Sequence, residues 1–149
     1  MSPSQPLFPS TSAVPATRRL ELVAIPGLPE FEPGDDLPAA ILSSLAKATL
    51  SLVDGDIVVL AQKIVSKCEG AYVDLQQVAP GQEAIELAAR TGKDPRLIEA
   101  ILSDTSEVLR AKDGVIIVAN RAGHVMANAG IDASNLPSSG SQRVLRLPA

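Results

Sequence analysis

The residues of this chain that could do chemistry fall into three short stretches. In "NAGIDASN" (residues 128 to 135), one acid, Asp132, stands among small residues and two amides. Such a stretch makes a turn, because Gly and Asn tolerate positive φ and Asp bonds nearby backbone. It equally suits a phosphate-and-metal loop, in which backbone N–H groups approach an anion and Asp supplies a hard oxygen. In "AQKIVSKCEG" (61 to 70), Gln62, Lys63, Ser66 and Lys67 put two cations and two hydrogen-bonding groups within six residues. They read either as a solvated strand exit or as a phosphate contact made by Lys charge and Ser hydroxyl. "GLPEFEPGDD" (27 to 36) is either a Pro-rich connector or a backbone cradle running into a helix N-terminus. Glu30, Glu32, Asp35 and Asp36 oppose an anion there unless a metal bridges it.

Other chemistries are poorly supplied. No "GxxxxGK[ST]" motif is present, so any nucleotide site is not a P-loop. His124 is the single histidine and reads as structural; Cys68, the single cysteine, reads as a packing residue, having no evident His partner.

The elements that must position these groups follow from periodicity and punctuation. "LELVAI" (20 to 25) alternates like a strand and is broken by a Pro/Gly-rich loop. Asp35 or Asp36 caps a helix through "LPAAILSSLAKATL", with Leu37, Ile41, Leu45 and Ala48 on one face. "VDGD" (53 to 56) turns into "IVVLAQKIV", expected to be a strand buried at its start and functional at its end. "GQEAIELAART" is helical and stops at Gly92; Asp94-Pro95 opens a second helix, "PRLIEAILSD", and the two form a hairpin. "SEVLRAK", "GVIIVAN" and "HVMANA" read as strands joined at Asp113-Gly114 and Arg121-Ala122-Gly123, with a last short strand in "QRVLRLPA". Late strands with earlier helices predict an α+β fold with a mixed or antiparallel sheet and a few short helices.

Composition bounds the rest. The chain has 149 residues, 46% of them hydrophobic, which is one ordinary domain with a real core. Aromatics are 2% and the net charge is −4, which argues against a nucleic-acid surface. One cysteine permits no intrachain disulfide and fits a reducing cytoplasm. No run is long and apolar enough to span a bilayer, and residues 1–19 read as a disordered Pro/Ser-rich arm ahead of a domain over 20–149.

Taken together and in order, "GDIVVLAQKIVSKCEG", "TGKDPRLIEAILSDTSEVLR" and "HVMANAGIDASN" resemble the amino-terminal half of the coenzyme F-420 γ-glutamyl ligases, in register from about Leu20 to about Leu147. The resemblance implies a GTP-dependent amide ligase that joins L-glutamate to the deazaflavin precursor F-420-0 through an acyl phosphate. It also implies an α+β homodimer using Mg or Mn and a stimulating monovalent cation such as K. On that resemblance Asp132 is a metal ligand, and Asn135, Gln62, Lys63 and Lys67 contact GTP. Leu28, Pro29, Glu30 and Phe31 match the loop that lines the nucleotide. No catalytic residue is assigned. Two departures stand out: Glu30 occupies a position usually apolar, and the family's carboxy-terminal part is expected beyond residue 149. That part would carry another metal-binding acid and much of the GTP and deazaflavin site, as a continuation or a complementary chain. The alternative reading is a non-catalytic nucleotide-binding or dimerisation module derived from the same fold.

Overall fold

The structure is a computed structural model that describes residues 19–132 and 142–148. The expected arm up to residue 18, and Asn135, lie outside the described residues.

Helix α1 (Leu37–Lys47) begins where the sequence predicts: Asp36 caps it by accepting a hydrogen bond from the Ala39 amide at 2.9 Å, and Pro38 sits in the first turn. Asp35 does a separate job, accepting from the Glu32 amide at 2.8 Å and so closing the turn ahead of the helix. Phe31, Leu37, Ile41 and Leu45 are buried together, and Ile25, Leu28, Leu50, Ile64, Val65 and Cys68 pack against them. The last three come from helix α2 (Gln62–Cys68).

Here the fold corrects a sequence expectation. Residues 57–65 were expected as one strand; instead 57–61 carry no regular element and 62–68 are helical. Ile64, Val65 and Cys68 repeat at the spacing of a helix face, and their burial against α1 decides the conformation. The strand expected over 20–25 is likewise absent.

A second core holds the rest. Helices α3 (Gln82–Thr91) and α4 (Pro95–Ser103) form the expected hairpin, with Gly92 left-handed (φ 66°, ψ 16°) and Asp94 capping α4. Ala84, Leu87, Ala88, Ile98 and Ile101 pack there with Ile116 and Val118. Those two lie on the middle strand of an antiparallel sheet ordered β2 (Thr105–Lys112), β3 (Val115–Asn120), β4 (Val125–Ala127). Register shifts between Thr105 and Glu107 and between Val108 and Arg110 insert extra residues in β2. They bring Thr105, Val108 and Ala111, every third residue, to the more covered side.

A two-stranded antiparallel ladder, β1 (Tyr72–Asp74) with β5 (Arg143–Leu145), completes the fold. The sequence reading found β5 but not β1, whose three residues are too few to show a period. Arg143 lies over the Tyr72 ring, 5.6 Å from its centroid, across this ladder. The architecture is α+β with antiparallel sheets, as expected.

Candidate functional site

The candidate residues converge on α2. The helix follows an extended Ala61 and has no side-chain cap. From its first residue, Gln62 Nε2 donates to Ser66 Oγ and to the Arg146 carbonyl, each at 3.2 Å, tying the helix to the segment after β5. Ser66 is fully buried, so its hydroxyl serves this internal bond and offers nothing to a ligand. One turn apart on the same helix, Lys63 and Lys67 each meet a carboxylate brought from elsewhere.

Lys63 Nζ lies 2.8 Å from Asp132 Oδ2. Asp132 is held in place by its backbone: its amide donates to the Leu145 carbonyl at 3.0 Å and its carbonyl accepts from the Leu145 amide at 2.8 Å. The turn leading to it is tight. Asn128, Ala129 and Gly130 have φ of 54°, 52° and 76° in succession. Asn and Gly adopt this left-handed region readily; a buried Ala does so only where the surroundings over-determine it, and such strain clusters at functional sites. Gly130 has a second constraint, since a Cβ there would meet Leu147 Cγ at 2.7 Å. The turn chemistry read from "NAGID" is thus present, and it aims an acid at the lysine of α2.

Lys67 Nζ lies 3.8 Å from Glu30 Oε1, with the lysine side chain 15% exposed and the glutamate 80%. Glu30 therefore faces the lysine expected to meet phosphate. Its neighbours Pro29, Phe31, Glu32, Asp35, Asp36 and Ala40 complete a shallow cleft of about 410 Å³. Phe31 is buried beneath it and Leu28 packs on the same core. Four carboxylates border the cleft, and the amide of Ala39 at the start of α1 is already taken by Asp36. The cradle of free helix amides envisaged from sequence is not what this loop presents.

The structure thus joins loop 28–31, α2 and Asp132 in one region, with Asn135 outside the described residues. It also adds a participant the sequence reading passed over. Arg146 receives Gln62 through its carbonyl, hydrogen-bonds Ser103 and places Nε 3.2 Å from Asp104 Oδ2. Only its place beside a strand hinted at this.

Cys68, the last residue of α2, packs against the core beneath α1; burial, aided by the charge of Asp35, pushes its thiol up, as befits a packing residue. His124 is exposed and contributes its backbone amide to Asn120 Oδ1 at 2.8 Å, a turn role.

Among the described residues no three His, Cys, Asp or Glu side chains come together as a metal cage. Asp132 brings one carboxylate on a pinned backbone. That sparse donor set fits a Mg-type ion held mainly by phosphate oxygens and water, which asks one or two carboxylates of the protein.

With this geometry, the fold and site define an α+β protein in which one short helix gathers two lysines, an acid on a strained turn and a Pro-rich loop. A family model described as F420-0:Gamma-glutamyl ligase matches residues 27–149, and the chain belongs to that family. It is 45% identical over 117 residues to the coenzyme F420:L-glutamate ligase of Methanothermobacter thermautotrophicus, covering 78% of this chain and 46% of the relative. The proteins of that name from Methanosarcina mazei and Halobacterium salinarum are 42% and 41% identical, over 79% and 84% of this chain and 44% and 48% of their own lengths. The chain spans about half the length of the curated relatives it matches.

Proposed function

We propose that this chain contributes the amino-terminal part of a GTP-dependent ligase that joins L-glutamate to the deazaflavin precursor F-420-0. Membership of the family and the names of its relatives support the reaction class. The observation that carries the site is the convergence of Lys63, Lys67, Asp132 and loop 28–31 on α2.

An amide does not form from a free carboxylate without activation. In the proposed reaction the acceptor carboxylate attacks the γ-phosphorus of GTP, GDP departs, and an acyl phosphate results. The glutamate nitrogen then attacks the acyl carbon, phosphate leaves with the C–O bonding pair, and the amine gives up its proton. Such transfers depend on positioning and charge neutralisation more than on a side-chain nucleophile. The absence of a nucleophile from this reading therefore costs it nothing: Cys68 packs in a core and His124 serves a turn. Lys67, 15% exposed, offers a partly desolvated point charge to phosphate once Glu30 yields. Lys63 holds Asp132 in place and can pass from carboxylate to phosphate as nucleotide enters. A divalent ion, Mg or Mn, would be held by Asp132 and would supply charge neutralisation at the phosphates. A stimulating monovalent cation belongs to the same proposal.

The test is GTP- and Mn-dependent thermal stabilisation of the chain and of its Lys67→Ala variant, followed by glutamate ligation assayed with the remaining half of a relative. Stabilisation lost in Lys67→Ala and ligation in the pair are the expected results. Nucleotide binding without ligation in the pair would instead favour a non-catalytic nucleotide-binding module.

A further inference from the structure

A cavity of about 640 Å³, within the size range of small-molecule sites, lies between the end of α4, the turn after β3 and the segments flanking the β1–β5 ladder. It shares no residue with the cleft beside Lys67. Two guanidiniums and two carboxylates border it: Arg121 and Arg146, Asp104 and Glu69. Arg146 is largely engaged, bonding Ser103 and lying 3.2 Å from Asp104 Oδ2, but its buried Nε–H makes no aligned hydrogen bond there, so the Asp104 carboxylate keeps acceptor capacity. Arg121 is set beside Asp104 by its own backbone, whose amide donates to the Asp104 carbonyl at 3.0 Å. Its exposed guanidinium meets no acceptor among the described residues. Next to it Asn120 is only 6% exposed. Its Oδ1 accepts from the His124 amide at 2.8 Å, while its Nδ2 has no acceptor among the described residues. A donor left over on so buried a side chain is what a ligand oxygen satisfies.

We propose that this cavity binds a zwitterionic amino acid, with a carboxylate on the Arg121 guanidinium and Asn120 Nδ2 and the ammonium on the Asp104 carboxylate. The mixed border selects the class. A plain anion would be repelled by Asp104 and Glu69 and a plain cation by the two arginines, whereas a molecule carrying both signs a few atoms apart meets an opposite charge at each end. The choice of L-glutamate among amino acids rests on the ligase reading above, which takes its substrate from the relatives' names. Position supports that choice. Ala129, the buried left-handed residue of the turn that carries Asp132, lines the cavity, and so does Arg146, whose carbonyl holds Gln62 of α2. The cavity and the candidate nucleotide site are therefore built on the same turn and the same post-β5 segment, so one framework would orient the amine toward the carboxylate it must attack.

The test is a titration of the 149-residue chain with L-glutamate, without nucleotide or metal, read by calorimetry and by backbone amide NMR shifts. Saturable binding is expected below roughly 10 mM, a limit set above the ~1 mM upper end of usual KM values, with the shifts centred on Asn120 and Arg121. Glutarate, which keeps both carboxylates and lacks the ammonium, should bind roughly tenfold more weakly or worse. Arg121→Gln should lower L-glutamate affinity roughly tenfold or more while leaving the melting temperature unchanged, since its side chain has no partner to lose. Arg110→Gln, the same charge change at an exposed position of β2, should leave the affinity as it is. Absence of saturable binding, or binding that survives in Arg121→Gln, overturns the proposal. Equal affinity for glutarate shows that no ammonium is read and overturns it as well. Because nucleotide is left out, failure of the GTP reading would leave a positive result standing, and failure here would leave GTP-linked stabilisation untouched.

Discussion

The pair Lys63–Asp132 shows how one side chain can be both structural and poised for chemistry. At 2.8 Å and only partly buried, it is worth about 1 kcal/mol or less to stability. Asp132→Asn should therefore leave the melting temperature within a few degrees while abolishing Mn-linked stabilisation; stabilisation that survives would remove Asp132 from the metal site. Asp94 makes the opposite case, an acid whose role is wholly architectural. The hydrogen bond from the Arg96 side chain, helped by backbone amides and opposed by burial, holds its carboxyl below the usual carboxylate range. A depressed carboxylate stabilises the fold above its unfolded value, about 4, and that contribution is lost as pH falls through the folded value. Asp94→Asn, which keeps the cap but not the charge, should lose less melting temperature than wild type between about pH 5 and pH 2. The raised thiol of Cys68 predicts slow alkylation by iodoacetamide at neutral pH, accelerating on unfolding in urea.

Among the elements, the turn before Asp132 and the stretch before α2 are the informative ones. Gly130→Ala asks a side chain to enter at φ 76° and within 2.7 Å of Leu147, an overpacking cost of about 1–3 kcal/mol. The expected outcome is a lower melting temperature together with weaker Mn-linked stabilisation, because the same turn places Asp132. A variant with unchanged melting would show that Leu147 simply moves aside. For 57–60 the energetics run the other way: full burial of an Ile or Val contributes about 1.5–3 kcal/mol, and exposed Ile57 and Val59 leave that stabilisation unrealised. The strand expected over 57–65 divided because its two parts answer to different partners. Ile64, Val65 and Cys68 had α1 to pack on and coiled into a helix, whereas Ile57 to Leu60 had no ladder among the described residues.

At the scale of the molecule, two apolar cores carry different duties. The core of α3, α4, β2 and β3 is built from elements close in sequence and needs no nucleotide, so its hydrogen-exchange protection should be independent of GTP. The core beneath α1 and α2 lies under every expected nucleotide contact among the described residues, and protection there should rise when GTP and Mn are added. Equal protection of both cores with and without GTP and Mn would contradict the placement of the site. Because the chain covers about half of its relatives, the response of the second core should be larger in complex with the remaining half than in the chain alone.

What the sequence by itself determined is whatever a window of ten or so residues can specify. The pair Asp35-Asp36 and Asp94 announce helix starts, Gly92 a helix end, Asp113-Gly114 a hairpin, and the ordered blocks around "KIVSKCEG" and "NAGIDASN" the family. Caps, turns and periods act between near neighbours, so the local order of residues records them. Tertiary structure decided the rest: that α2 is a helix, that β1 exists at all, that Arg146 reaches back to Gln62, and that Lys63 meets Asp132 and Lys67 meets Glu30. These depend on partners tens of residues away. A ladder or an ion pair belongs to two segments at once, and neither segment alone carries the energy that selects it.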